Sequence, residues 1–231
     1  MPHVHFGAFA VFSAGLVALT SVPVSAADPE RNGPSFDCSK ASSGVEKAIC
    51  ASKPLSSLDG QIGMRYGALR KGLDKASAEK LKQDQQWFIA TRNAGFADGE
   101  DRAKILLDRL HFLNAISWST PAGVEGVWRN LAGEITVSRG ANGQLSFNAN
   151  AAEPSQGRWV CEAEGKLRAI GASHWKEATD DPAGQLDFTR SGVTLDVSDA
   201  EGKSSPNCGL NGSLGGSYFR TGAATSLPAR K

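Results

Sequence analysis

Beyond its N-terminal segment, this chain has few residues whose types could do chemistry: four cysteines, His111 and His174, and the adjacent pair Asp180-Asp181. Cys38, Cys50, Cys161 and Cys208 could be a metal site, a redox dithiol or a pair of staples. No CxxC occurs, and four-ligand zinc sites usually show tighter spacing than these four cysteines and two histidines have. An even number of cysteines in an exported chain points to two disulfides. Three pairings are open. The simplest is local, Cys38 with Cys50 and Cys161 with Cys208, because each pair lies within one compositional half. By loop-closure entropy, the 12-residue loop would contribute about 3 kcal/mol and the 47-residue loop about 4 kcal/mol.

The remaining inventory argues against catalysis. There is no GxSxG, HExxH or P-loop. His111 stands beside Phe112 and reads as a helix residue. His174, in ASHWKEATDDPAG, reads as a loop residue with no base or nucleophile at catalytic spacing. Asp180-Asp181 precedes a proline and is foremost a turn signal. A non-enzyme is expected, with no catalytic residue, cofactor or metal.

Residues 1–26 read as a cleaved signal peptide: Phe6 to Val24 is uncharged and apolar, and Val24 and Ala26 fit the −3 and −1 positions of a cleavage site. The run is broken by Gly15 and Pro23 and is short for a spanning helix. A periplasmic or secreted protein is expected, with no membrane contact once mature. The formal charge is +1, with 14 basic and 12 acidic residues up to Ser117 and 11 and 12 after it. Neither half carries the basic footprint of a nucleic-acid binder.

The elements that must position these residues come in two periods. From Ser43 to Ser117 the pattern is helical. Ser43 and Glu46 form an S-x-x-E capping box, and Lys53-Pro54 restarts a helix. Leu55, Leu58, Ile62, Tyr66, Leu69 and Leu73 then recur at steps of three or four. Gly60, Gly63, Gly67 and Gly72 weaken that helix by about 1 kcal/mol each, so packing or a close neighbour must hold it. Ser77 is a candidate N-cap for a third helix carrying Leu81, Trp87, Phe88 and Ile89. A fourth presents Leu106, Leu110 and Leu113. After Pro121 the period drops to two, with Asn142-Gly143 as a hairpin turn. About seven strands are expected: 135–137, 145–147, 158–162, 167–170, 186–189, 193–197 and 217–220. The fold class is therefore α+β: a disulfide-stapled helical bundle over 34–117, then an antiparallel β-barrel or sandwich over 124–221, with a flexible tail at 222–231.

One resemblance is carried by particular residues: Phe36-Asp37-Cys38, Val45-Glu46-Lys47-Ala48-Ile49-Cys50, Leu55, Leu58-Asp59, Tyr66, Gln86-Trp87 and Arg92-Asn93. At these spacings the helical half resembles the N-terminal domain of the lysozyme inhibitor LprI-like family of exported bacterial proteins, over about Pro34 to Leu113. Family members often carry another cysteine after the Arg-Asn pair. Here Ala94-Gly95-Phe96 stands in its place, which favours Cys38 bridging to Cys50. Glu46, Asp59, Tyr66, Trp87 and Arg92 are expected to be structural, Trp87 in the core and Asp59 paired with Arg92 across two helices.

The resemblance implies an exported protein that binds and inhibits a protein partner, a lysozyme-type muramidase; occlusion of the active-site cleft is the expected mode. Such clefts are lined by two carboxylates. Hydrogen-bond donors or positive charge on a loop would suit them, which makes His174, Lys176, Asn207 and Asn211 the candidate contacts. The alternative is a periplasmic interaction or envelope-stress module with no lysozyme target.

Overall fold

Local chemistry at Ser43 starts the first helix. Its Oγ accepts from the Glu46 amide at 3.1 Å, while the Glu46 carboxylate accepts from the Ser43 amide at 3.0 Å. Two orphan donors of a helix start are thereby satisfied reciprocally. The computed structural model describes residues 33–94, 101–181, 184–199 and 206–224. The signal-peptide expectation and the end of the tail lie outside them. Helix α1 (Gly44–Ala51) follows a 3-10 turn at Cys38–Lys40, and the Cys38–Cys50 bond ties that turn to the end of α1. Ser52 caps α2 (Lys53–Gly72), with Pro54 in its first turn. The Ser56 hydroxyl donates to the Ile49 carbonyl at 2.7 Å, locking α2 onto α1.

Two of the α2 glycines have a packing reason. A Cβ at Gly63 would stand 2.5 Å from Cβ of Ser35, and one at Gly72 would stand 2.5 Å from the Trp118 ring. Both are close approaches that only glycine permits. Helix α3 (Lys75–Ala94) begins two residues before the expected cap. The carboxylate of Asp74 accepts from the amide of Ser77 at 2.9 Å and from its hydroxyl at 2.6 Å. Asp74 therefore does the capping, and Ser77 is fully buried inside the helix. Helix α4 (Arg102–Ala115) is capped by Asp101.

Eight strands follow: β1 (Gly126–Arg129), β2 (Gly133–Arg139), β3 (Leu145–Ala152), β4 (Val160–Gly171), β5 (His174–Glu177), β6 (Leu186–Ser191), β7 (Thr194–Asp199) and β8 (Gly216–Gly222). Each pairs antiparallel with the next, and β8 pairs with β1 to close a barrel. Two strands escaped the sequence reading, β1 and β5, each only four residues long. Two expected strands, at 158–162 and 167–170, are one continuous β4. The barrel outcome, rather than a sandwich, leaves no open edge. Gly222, expected in the tail, is still paired to Val127.

Alternation fills the barrel. Trp128, Ile135, Val137, Phe147, Leu167, Phe188, Leu195 and Tyr218 point inward and are buried, as an eight-stranded barrel just wide enough for side chains requires. The Trp128 indole donates to the Val124 carbonyl and the Tyr218 hydroxyl to the Leu214 carbonyl, both at 2.8 Å. A second bond, Cys161–Cys208, holds the loop before β8 against the start of β4.

Among the described residues, helices and barrel share a core within one compact unit. Val193 and Phe219 leave the barrel wall to pack with Leu69, Leu81, Leu106 and Leu113. The Lys80 ammonium reaches across to Asp196 and to the Thr194 hydroxyl, and the Ser117 amide donates to the Arg220 carbonyl at 2.8 Å.

Candidate target-binding surface

His174 and Lys176 sit on β5 rather than in a loop, because they alternate with Trp175, whose indole fills the barrel. Both side chains therefore point outward. In the register, Lys176 lies between Arg168 of β4 and Asp187 of β6. Asp187 serves two neighbours: its Oδ1 meets His174 Nε2, and its Oδ2 lies 3.4 Å from Lys176 Nζ. Arg168 is exposed and has no ion pair among the described residues. Like charges directly opposite on adjacent strands repel, and the single carboxylate of Asp187 does not neutralise both Arg168 and Lys176. Ile170, 43 % exposed, lies between these cations and the turn. The β4–β5 hairpin thus offers an apolar tip with excess positive charge behind it, suited to an anionic partner.

Asp187 occupies Nε2 of His174, the ring nitrogen that faces the nucleophile in a Ser-His-Asp triad, so the pair does not reproduce the orienting half of one. Among the described residues no hydroxyl or thiol hydrogen-bonds the ring. Asp180 and Asp181 are exposed in the loop after β5, and His111 is exposed on α4.

Asn207 and Asn211 are elsewhere. The Asn207 carbonyl accepts from the Glu162 amide at 2.9 Å, and Gly209 donates to the Val160 carbonyl at 2.9 Å. Asn211 is exposed with φ of 63°, a left-handed turn position. Beside it Leu210 is 78 % exposed. This loop adjoins the start of β4, whereas His174 adjoins its end. At about 3.3 Å per residue, the 12 residues of β4 separate the two by roughly 35–40 Å. The candidates form two surfaces, not one.

The helical residues have structural work. Asp59 and Arg92 are both buried and meet at 2.7 Å, and the second Asp59 oxygen accepts from the amide and hydroxyl of Ser35. Glu46 also accepts from Asn93 at 3.3 Å. The Ser43 and Ser42 amides hold its carboxyl down at about 2. Tyr66 packs on the edge of the helical core. Trp87 corrects the expectation. The buried face of α3 runs Ser77, Ala78, Leu81, Asp84, Gln85, Phe88 and Arg92. Trp87 falls beside that stripe and is 39 % exposed.

One buried cluster was missed. Arg109 of α4 donates to Asp84 at 2.6 Å and to Gln85 at 2.6 and 3.0 Å, with its guanidinium 4.9 Å from the ring centres of both Phe88 and Phe112. The other Asp84 oxygen accepts from the Leu131 amide at 3.3 Å, tying the cluster to the β1–β2 turn. Polar residues at helical spacing read as a solvent face, so nothing in the sequence marks this one as buried. A cavity of about 300 Å³ lies alongside, walled by Arg92, Arg109, Phe112, Leu131 and Ser155.

No helix among the described residues is long and apolar enough to cross a membrane. No curated protein and no solved structure matches the chain. The family comparison does match: residues 38–117, the span of the helices α1 to α4, fit the model of the lysozyme inhibitor LprI family.

Proposed function

We propose that the chain is an exported binding protein that inhibits a lysozyme-type muramidase by occluding its active-site cleft. The observation that carries this reading is the LprI match over 38–117, an inhibitor family rather than an enzyme family. Charge supplies the mechanism. A muramidase cleft holds two carboxyl groups, about 5–5.5 Å apart in retaining enzymes and about 6.5–9.5 Å apart in inverting ones. Arg168 and Lys176 stand opposite each other on β4 and β5, with Cβ atoms about 5 Å apart at such a pair. Their long side chains can straddle either spacing while Ile170 fills the apolar floor.

The test is a lysis assay with the full mature chain against c-, g- and phage-type lysozymes, with an R168E/K176E variant alongside. Slowed lysis, relieved in the variant, supports both inhibitor and hairpin. Slowed lysis unchanged in the variant keeps the inhibitor and removes the hairpin.

A second reading, an envelope interaction module without a lysozyme target, draws on the opposite end of the barrel. There Leu210, 78 % exposed, stands on the disulfide-held loop next to Gly209, whose amide donates to the carbonyl of Val160, 61 % exposed at the start of β4. These two apolar side chains are the proposed contact. A periplasmic protein captured by the wild-type chain but not by L210D, together with a negative lysis assay, would favour it.

A further inference from the structure

On the outer side of the Asp84 cluster, α3 and the barrel leave a notch of about 180 Å³ walled by Lys80, Gln83, Asp84, Trp87, Asn130, Gly215, Gly216 and Ser217. Drug-sized ligands occupy about 300 Å³ or more, so this notch has room for one ring. Most of its polar groups are already engaged. Lys80 is held by Asp196 and Thr194, Ser217 donates to Asp196 at 2.6 Å, and Asn130 accepts from the Ala132 and Gly133 amides at 2.9 Å. Asp84 is bound to Arg109 and Leu131. These bonds fix the walls.

Two groups remain unspent. Trp87 presents its indole with no hydrogen bond to any described residue, and Gln83 is exposed with its amide unbonded. Gly216, at φ of +142°, occupies a conformation that excludes side chains, so the Gly215-Gly216 stretch of the barrel wall, beside Asn130 and Ser217, stays bare backbone.

A rigid aromatic face, an adaptable amide beside it and a bare backbone wall suit a ligand with one apolar face and a rim of hydroxyls. A flat aromatic ligand would leave the amide and backbone groups unpaired, and an anion would find no free positive charge, because Lys80, the one cation among the lining residues, is already paired with Asp196. We propose that this notch is a pyranose-binding subsite, in which the sugar stacks its C–H face on Trp87 and hydrogen-bonds through its hydroxyls to Gln83. The site is independent of the muramidase reading and needs no lysozyme to be observed.

The experiment is a titration of the full chain with β-1,4-linked trimers of N-acetylglucosamine and of glucose, followed by tryptophan fluorescence and calorimetry. At least one trimer is expected to bind saturably. By analogy with stacking of nucleic-acid bases on aromatic side chains, Trp87→Ala should weaken binding roughly tenfold or more. Trp87→Phe should keep part of it, and Gln83→Ala should weaken it with an unchanged melting temperature. Absence of saturable binding for both trimers would overturn the proposal. So would Trp87→Ala and Gln83→Ala variants that bind as tightly as the wild type.

Discussion

Phe219 of the barrel and Phe112 of α4 meet edge to face, their ring centres 6.1 Å apart and their planes at 80°. Phe219 is fully buried and belongs to the helical core, not to the barrel interior. Its neighbour Tyr218 points the other way and fills the barrel, so a single residue step in β8 joins two cores. The two halves are accordingly one folding unit. Phe219→Ala should cost about 3–5 kcal/mol, the range for removing a buried phenylalanine. In a Trp87→Phe/Trp118→Phe background, whose remaining tryptophans lie in the barrel half, denaturant unfolding followed separately by helical and by tryptophan signals should show one shared transition, shifted as a whole by Phe219→Ala. A shift confined to one signal would mean that the halves unfold independently.

Asp59 and Arg92 form a buried ion pair whose desolvation is offset only while both partners are present. Asp59→Leu alone leaves a buried guanidinium with Asn93 as its remaining partner and should cost about 3–5 kcal/mol. Adding Arg92→Met should recover a large part of that loss, because a well-packed apolar pair is often neutral relative to a buried ion pair. A double-mutant cycle by urea unfolding checks this. Additive costs would show that the pair is not coupled.

Glu46 gives the helix start a pH signature. The Ser43 and Ser42 amides stabilise its carboxylate, lowering the folded value to about 2 from the ordinary 4.5. A depressed folded value means that the contribution is fully present above about pH 4.5 and is lost as the pH falls towards 2. Its size is small because the group is only partly screened from solvent. The urea midpoint of wild type should therefore fall through that window more steeply than that of Glu46→Gln. Parallel curves would contradict the assignment.

How much of this was legible depended on whether the signal was local. The capping box at Ser43 and Glu46 is three residues wide, and it stands as read. The Asp59–Arg92 pair followed from two helices carrying opposite charges at positions that the family resemblance had singled out. Short strands were illegible: GVWR and HWKE are too brief to establish a period, and the sheet confers their strand character. Closure of the barrel depends on β8 finding β1 about ninety residues away, which no local pattern encodes. Trp87, expected in the core, and Arg109, not singled out in the sequence, depart from burial tendency for one reason. Composition puts tryptophan inside and arginine outside, but here Arg109 finds Asp84, Gln85 and two aromatic faces in the interior while the barrel leaves a notch for Trp87. On the candidate surface, His174 and Lys176 could be picked as donors. Their shared partner Asp187 and the uncompensated Arg168 emerge only from strand register.

The proposed inhibition of a lysozyme-type muramidase is tested most directly by the initial rate of peptidoglycan lysis with and without the purified chain. Micromolar excess should slow at least one of the c-, g- and phage-type enzymes. Lysis rates unchanged for all three would contradict it.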